Sequence, residues 1–97
     1  MLYNPVKIPI DGVLDLHTFR PSEVKYLVPD YLRECRKRGI LKVRIIHGKG
    51  SGIMLKTVHS ILNRMDFVED YMLAPPHLGG WGATIVRLLS TAHKTKY

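Results

Sequence analysis

The stretch that decides the fold runs from residue 43 to residue 65 and reads VRIIHGKGSGIMLKTVHSILNRM. Apart from Arg44, its first residues are apolar, which is typical of a short buried strand that ends at His47. A glycine-rich turn from Gly48 to Gly52 follows, and apolar residues then recur at the spacing of an amphipathic helix. The stretch therefore predicts a strand, a turn and a helix.

The residues before this stretch show the same pattern. Residues 13–16 form a short apolar strand that stops near His17. An amphipathic helix follows, from Pro21, which suits the first helical position, to a C-terminal stop at Gly39. Pro29 lies inside this helical pattern and removes a backbone donor, so we expect a kink or a break there.

Two further strands are predicted over residues 68–74 and 83–89, with a proline- and glycine-rich loop between them. The first two strands are joined by a crossover and should be parallel, whereas the last two share a short loop that allows an antiparallel pair. We therefore predict one small two-layer α/β sandwich with a mixed sheet over residues 10–89. A lead-in at 1–9 and a basic flexible tail at 90–97 flank it.

The charge of the chain favours a polyanionic partner. Fifteen Lys and Arg residues face eight Asp and Glu residues, which gives a formal net charge of +7. A field of that sign attracts DNA, RNA or an anionic membrane. No apolar run approaches the roughly 18–20 residues that span a bilayer, no secretory signal is visible, and the single cysteine, Cys35, excludes an internal disulfide. We expect a cytoplasmic monomer with nucleic acid, not a membrane, as its partner.

A candidate site follows from the ends of the first two strands. Ligands of open α/β sheets bind outside the carboxyl ends of the parallel strands, so Asp15 and His17 should converge there with His47 and Lys49. Histidine suits acid–base work near neutral pH. Asp15 could orient a histidine or help to carry a divalent ion. The alternative is that these side chains only satisfy backbone groups at the strand ends.

The glycine-rich turn is suited to a phosphate. Its glycines allow left-handed conformations and a close approach of the backbone, and the following helix N-terminus favours an anion. The alternative is a plain strand-to-helix turn. The candidate phosphate-binding residues of the turn are Gly48, Lys49, Gly50, Ser51 and Gly52.

Other residues are candidates for the same surface. Arg44 and Arg87 alternate outward from their strands and could follow phosphates, or they could belong to a solvated sheet face. Trp81 is either a stacking platform for a base or a lid over the core. His59 is expected on the solvent-facing side of its helix, and Cys35 is expected in the core.

Three segments resemble the signatures of the Smr domain, named for small MutS-related proteins. They are Leu14-Asp15-Leu16-His17, His47-Gly48-Lys49-Gly50-Ser51-Gly52 and Gly79-Gly80-Trp81-Gly82-Ala83-Thr84-Ile85-Val86-Arg87-Leu88. The resemblance implies a compact α/β sandwich similar to the C-terminal domain of a bacterial translation initiation factor. It also implies nucleic-acid binding, and several family members are endonucleases on DNA or RNA, including messenger RNA on stalled ribosomes.

The resemblance also implies residue roles. The Asp and His of the first signature, Asp15 and His17 here, are the residues most often tied to cleavage, and His47 and Lys49 match the histidine and the basic residue of the second. One position departs from the pattern, because Thr18 stands where the family usually has glycine. A threonine adds a side chain and disfavours positive φ, which changes how closely a backbone approaches.

Two hypotheses remain open. In the first, the chain is an endonuclease in nucleic-acid quality control or repair. RNA cleavage would then need a histidine base, an acid and Lys49 but no metal, whereas DNA cleavage by water would use Mg²⁺ or Mn²⁺ near Asp15. In the second, the chain is a non-catalytic module that binds structured nucleic acid or the ribosome through charge and shape.

Overall fold

The elements occur in the predicted order in a computed structural model, which describes residues 8–92. The predicted lead-in up to residue 7 and the predicted tail from residue 93 lie outside the described residues. The helices and strands are β1 (Val13–Asp15), α1 (Pro21–Lys37), β2 (Lys42–Ile46), α2 (Ile53–Asn63), β3 (Val68–Leu73) and β4 (Ala83–Leu88). Two 3-10 turns, Pro76–Leu78 and Gly80–Gly82, fill the loop before β4.

The strands form one sheet in the order β1-β2-β4-β3. β1 and β2 are parallel, as their crossover through α1 requires, while β4 is antiparallel to both β2 and β3. The predicted mixed α/β sandwich is thus confirmed. β4 lies between β2 and β3, so the chain from 83 onward returns to the middle of the sheet. No helix among residues 8–92 is long and apolar enough to cross a membrane.

The helices cover one face of this sheet. Leu14, Val43 and Val86 point from three strands into a common core with residues of α1 and α2. Cys35 is fully buried there, as predicted. Neighbouring strand residues point the opposite way, and a smaller apolar cluster of Ile46, Ala74, Leu78, Ala83 and Ile85 lies on the other face. We call this second face the open face, since the Pro76–Leu78 turn covers only part of it.

Pro29 does not interrupt α1, so the predicted break is wrong. Proline in a helix interior costs about 3 kcal/mol, partly through the carbonyl four residues earlier that loses its donor. That carbonyl belongs to Lys25, an exposed residue at which water can replace the donor. Large apolar residues on both sides, such as Leu27 and Leu32, are buried and contribute roughly 1.5–3 kcal/mol each. Tertiary burial therefore outweighs the local cost.

Candidate functional site

Asp15 and His17 form a pair at the end of β1. The Asp15 Oδ1 atom accepts the backbone N–H of His17 at 3.0 Å and lies 2.9 Å from His17 Nδ1. These two hydrogen bonds, the backbone one foremost, lower the pKa of Asp15. A carboxylate can only accept, so Nδ1 of His17 carries the proton and Nε2 is the basic nitrogen. The His17 side chain is 75% exposed, which leaves Nε2 accessible to a substrate.

His47 is placed differently, because it follows β2 on the helix-covered face and is 8% exposed. Its Nε2 lies 2.8 Å from Thr84 Oγ1 and its Nδ1 lies 3.1 Å from the Gly48 carbonyl oxygen. A carbonyl only accepts, so Nδ1 carries the proton. Burial lowers the pKa of His47, which favours its neutral form. Both ring nitrogens are therefore engaged inside the protein.

The two histidine turns meet through their backbones and not through their side chains. β1 and β2 are neighbours, and the Leu16 N–H donates to the Ile46 carbonyl at 2.9 Å. Asp15 is opposite Ile46, so Asp15 and His17 lie on the open face, whereas His47, one residue further, points to the helices. The two strand ends thus lie at one edge of the sheet, as expected, but the two histidine side chains lie on opposite faces of it, since side chains alternate with a period of two.

The glycine-rich turn presents free backbone donors. The N–H groups of His47 and Gly48 both donate to the Gly82 carbonyl, at 3.0 and 2.8 Å. Within the part of the chain that the structure describes, the four N–H groups from Lys49 to Gly52 have no hydrogen-bond partner. Gly50, Ser51 and Gly52 line a pocket of about 200 Å³ between the turn and the first turn of α2. Donors in this arrangement are suited to an anion.

The N-terminus of α2 has no acidic side chain beside it, in contrast to that of α1. At α1, the Glu23 carboxylate accepts the Arg20 N–H at 3.0 Å and closes the helix end. α2 begins after Gly52, which adopts a left-handed φ of +85° and has no side chain to cap the helix. No residue of the first turn of α2 is acidic. The helix dipole there is left for an external negative charge.

Lys49 and Trp81 lie together beside the turn. The Lys49 Nζ atom is 5.9 Å from the centre of the Trp81 ring, and Trp81 is 53% exposed. The possibility that Trp81 is a lid over the core is therefore wrong, and an exposed aromatic platform remains. Gly82 packs directly beneath the turn, because a Cβ added there would lie 3.0 Å from Lys49 Cγ.

Arg44 and Arg87 already have partners. The Arg87 guanidinium pairs with the Asp70 carboxylate, through Nε at 2.7 Å and through Nη2, and lies 3.9 Å from Glu69. The Arg44 Nη1 donates to the Leu78 carbonyl at 3.1 Å. Both side chains project outward from the open face, as alternation predicted. The charge of Arg87 is paired with a carboxylate, and one donor of Arg44 is used by a backbone carbonyl.

His59 was expected to face solvent, and that expectation is wrong. Its Nε2 lies 2.8 Å from the buried Thr84 Oγ1, and its ring packs 4.7 Å from the Tyr71 ring. Burial, and secondarily His47, lower the pKa of His59. A sequence signal existed, since Leu55, His59 and Leu62 follow the spacing of one helix stripe. Thr84 offered none, because its role depends on partners distant in sequence.

The described residues offer little to a metal ion. No group of three or more His, Cys, Asp or Glu side chains that could hold one occurs between residues 8 and 92. Beside Asp15, an ion would have the one carboxylate oxygen that His17 leaves free, Oδ2. The expected Mg²⁺ or Mn²⁺ would thus take most of its ligands from water and a bound phosphate.

The fold and these features define a class: a small α/β domain with an anion-suited glycine turn and an exposed Asp–His pair. The sequence matches the Smr domain family over residues 14–89. The chain therefore belongs to the Smr domain family.

Relatives and solved structures agree with this assignment. The chain is 40% identical over 75 residues to Endonuclease MutS2 of Carboxydothermus hydrogenoformans and 35% identical over 79 residues to that of Clostridium tetani. These alignments cover 77% and 81% of this chain but only 10% of each relative.

Two crystal structures have the same fold. The Smr domain of Thermus thermophilus MutS2 superimposes with a TM-score of 0.76 at 35% identity, covering 79% of this chain and 96% of that one. YdaL, a stand-alone small MutS-related protein from Escherichia coli, gives a TM-score of 0.78 at 32% identity, covering 84% and 67%.

Proposed function

We propose that the chain binds nucleic acid through phosphates held at the glycine-rich turn and cleaves it as an endonuclease at the Asp15–His17 pair. The observation that carries the binding step is the row of unpartnered N–H groups from Lys49 to Gly52 ahead of a helix whose N-cap residue is a glycine. Relatives that share this domain are named endonucleases, which supports the proposal.

Binding at this turn reads the phosphate backbone and not the base sequence. Backbone N–H groups and a lysine contact phosphate oxygens, which are the same at every nucleotide. Three arginines, Arg33, Arg38 and Arg87, each pair with a carboxylate. Lys49 and the exposed Lys56 on α2 have no carboxylate partner in the described chain. These two lysines add positive charge to the free N–H groups of the turn.

For RNA cleavage, His17 acts as the general base and Asp15 orients its ring. Nε2 of His17 takes the proton of a 2′-hydroxyl, whose oxygen attacks the adjacent phosphorus while the bond to the 5′-oxygen breaks. Asp15 holds the ring and stabilises the cation that forms. The leaving oxygen takes a proton from solvent or a second acid, and the products are a 2′,3′-cyclic phosphate and a 5′-hydroxyl. Lys49 and the turn amides stabilise the charged phosphorane when they hold its oxygens.

Matched RNA and DNA substrates test this function, each with and without a chelator. Wild-type protein is expected to cut RNA to a 2′,3′-cyclic phosphate with the chelator present. His17→Ala and Asp15→Asn should each slow the reaction by about 10²–10⁴-fold, the usual range for a general base. His77→Ala removes another exposed histidine and is the control. Full activity in both site variants would remove this pair from the mechanism.

A binding module without catalysis is the second candidate, and the geometry of His47 favours it. Because both of its ring nitrogens are engaged internally, Asp15 and His17 remain the only acid–base pair of the three residues predicted to be catalytic. This candidate predicts salt-sensitive binding to structured RNA, including the ribosome, without turnover. Binding would then be lost in Lys49→Ala and kept in His17→Ala.

A further inference from the structure

A chain of hydrogen bonds runs from α2 through β4 to the glycine-rich turn. His59 Nε2 and His47 Nε2 each lie 2.8 Å from Thr84 Oγ1, and His47 Nδ1 lies 3.1 Å from the Gly48 carbonyl oxygen. Thr84 is fully buried and His47 nearly so. The chain joins residues 37 and 25 positions apart in sequence.

The chemistry of the groups fixes the direction of this chain. The Gly48 carbonyl can only accept, so His47 carries its proton on Nδ1 and has a lone pair on Nε2. Thr84 therefore donates its hydroxyl proton to His47 Nε2. The hydroxyl oxygen is left as an acceptor, and His59 donates to it from Nε2.

The reversed chain is unfavourable when both rings are neutral. If Thr84 donated to His59, His47 would have to donate from Nε2 and would carry a lone pair on Nδ1. That lone pair would face the Gly48 carbonyl oxygen at 3.1 Å. Burial lowers the pKa of both histidines, which keeps them neutral and makes the choice of tautomer decisive.

The Gly48 carbonyl matters because of the peptide plane to which it belongs. In a trans peptide the carbonyl of one residue and the N–H of the next point in opposite directions, and no peptide bond of the described chain is cis. Holding the Gly48 carbonyl inward against His47 therefore turns the Lys49 N–H outward, away from the His47 ring. The Gly48 N–H, which donates to Gly82 at 2.8 Å, anchors the preceding peptide plane.

We propose that Thr84 and His59 are positioning residues of the glycine-rich turn, which together with the Gly48 carbonyl fix the Nδ1–H tautomer of His47 and so direct the Lys49 N–H toward a bound phosphate. The inference rests on the proposed phosphate binding at this turn and adds two residues to it. It assigns His47 to the same positioning group, since none of its polar atoms is free to reach a substrate.

The test reads the tautomers directly, by long-range ¹H–¹⁵N correlation spectra of the imidazole rings. In wild type, His47 is expected as the Nδ1–H tautomer and His59 as the Nε2–H tautomer. Thr84→Val removes the hydroxyl, and His47 should then populate both tautomers. Thr84→Ser and His59→Gln keep a hydroxyl and a donor, respectively, and should preserve the wild-type state of His47. Ser60→Ala, an exposed substitution on α2, is the matched control.

A titration with inorganic phosphate, followed at the backbone amides of the turn, gives the second readout. Thr84→Val should weaken phosphate binding by about three- to tenfold, the loss expected for one buried hydrogen bond, and Thr84→Ser should restore it. An unchanged His47 tautomer together with wild-type phosphate affinity in Thr84→Val would overturn the inference.

The two readouts separate the inference from the proposed function. The tautomers need no ligand, so an Nδ1–H state of His47 that Thr84→Val converts to a mixture of both tautomers supports the inference even where phosphate leaves the turn amides unmoved. That last result would count against the proposed function alone.

Discussion

Lys49 and Trp81 are separated by 32 positions in the chain, yet the Lys49 Nζ atom lies 5.9 Å from the centre of the Trp81 ring. A cation over an indole face at this distance contributes roughly 0.5–1 kcal/mol when exposed. The contact brings a positive charge and an exposed aromatic surface together beside the free N–H groups of the turn. We expect a nucleotide whose phosphate is held by the turn to place its base against that surface.

The first prediction concerns this aromatic surface. Trp81→Ala should weaken binding to single-stranded RNA by about 1–3 kcal/mol, the contribution of one stacked base, and should affect duplex binding less because duplex bases are already stacked. Fluorescence anisotropy with short labelled strands measures both. Tyr26→Ala is the control, since Tyr26 is also exposed and lies beside a lysine, Lys25, but on α1. Equal losses in the two variants would contradict a stacking role for Trp81.

The second prediction concerns Lys49. A lysine that contacts one phosphate releases about one counterion, so Lys49→Ala should lower the slope of log affinity against log salt by about 0.7–0.9. Binding should weaken similarly for strands of different sequence, because phosphates are the same throughout. Lys37→Ala is the control, since it removes an exposed lysine at the end of α1 and lowers the net charge by the same amount as Lys49→Ala. A slope that falls equally in both variants would indicate a general charge effect.

The third prediction concerns the packing of Gly82 beneath the turn. In Gly82→Ala, the new Cβ would lie in ordinary contact with the Gly48 carbonyl carbon, at 3.5 Å, but only 3.0 Å from Lys49 Cγ, so the Lys49 side chain has to give way. We expect a loss of about 1–3 kcal/mol in the free energy of unfolding, typical of overpacking, measured by urea denaturation. Gly50→Ala adds the same methyl group with no atom within 4 Å and should change stability by less than about 0.5 kcal/mol.

The fourth prediction concerns pH. The folded state lowers the pKa of His47 and of His59 below the ordinary value of 6.5. As pH falls through about 6.5 the unfolded chain takes up protons first, so the free energy of unfolding falls until the folded-state pKa values are reached. Above that window both states are neutral and these histidines add no pH dependence.

His59→Gln isolates the contribution of one of these groups. It should reduce the slope of stability against pH below about 6.5 by up to one proton's worth, about 1.4 kcal/mol per pH unit. His77→Ala, which removes an exposed histidine of the 3-10 turn, is the reference. A stability that stays flat for wild type across this window would show that the buried pair takes up protons as readily as the unfolded chain.

Local periodicity predicted the helices and strands well, because the spacing of apolar residues along a short stretch of sequence differs between the two. The crossover also made the parallel pairing of β1 and β2 predictable. The insertion of β4 between β2 and β3 was not, because it depends on contacts between distant segments. Pro29 is a second case in which local rules fail. The cost of a proline inside a helix is outweighed by the burial of apolar residues on both sides of it.

The candidate site was predictable as a set of residues and less so as a geometry. Asp15, His17 and Lys49 were found from strand ends and turn chemistry. The separation of His17 from His47 rests on which residue of β2 lies opposite Asp15, and a difference of one position decides the face. The link from His59 to His47 needs Thr84, which lies in another strand and carries no signal of its own.

The placement of Asp15 and His17 on the open face, away from the chain of hydrogen bonds under the turn, has an evolutionary consequence. Substitutions at these two exposed positions disturb no buried contact, so the proposed cleavage could be lost without altering the fold or the proposed phosphate binding. The exposed pair and the buried residues beneath the turn could therefore vary independently of each other.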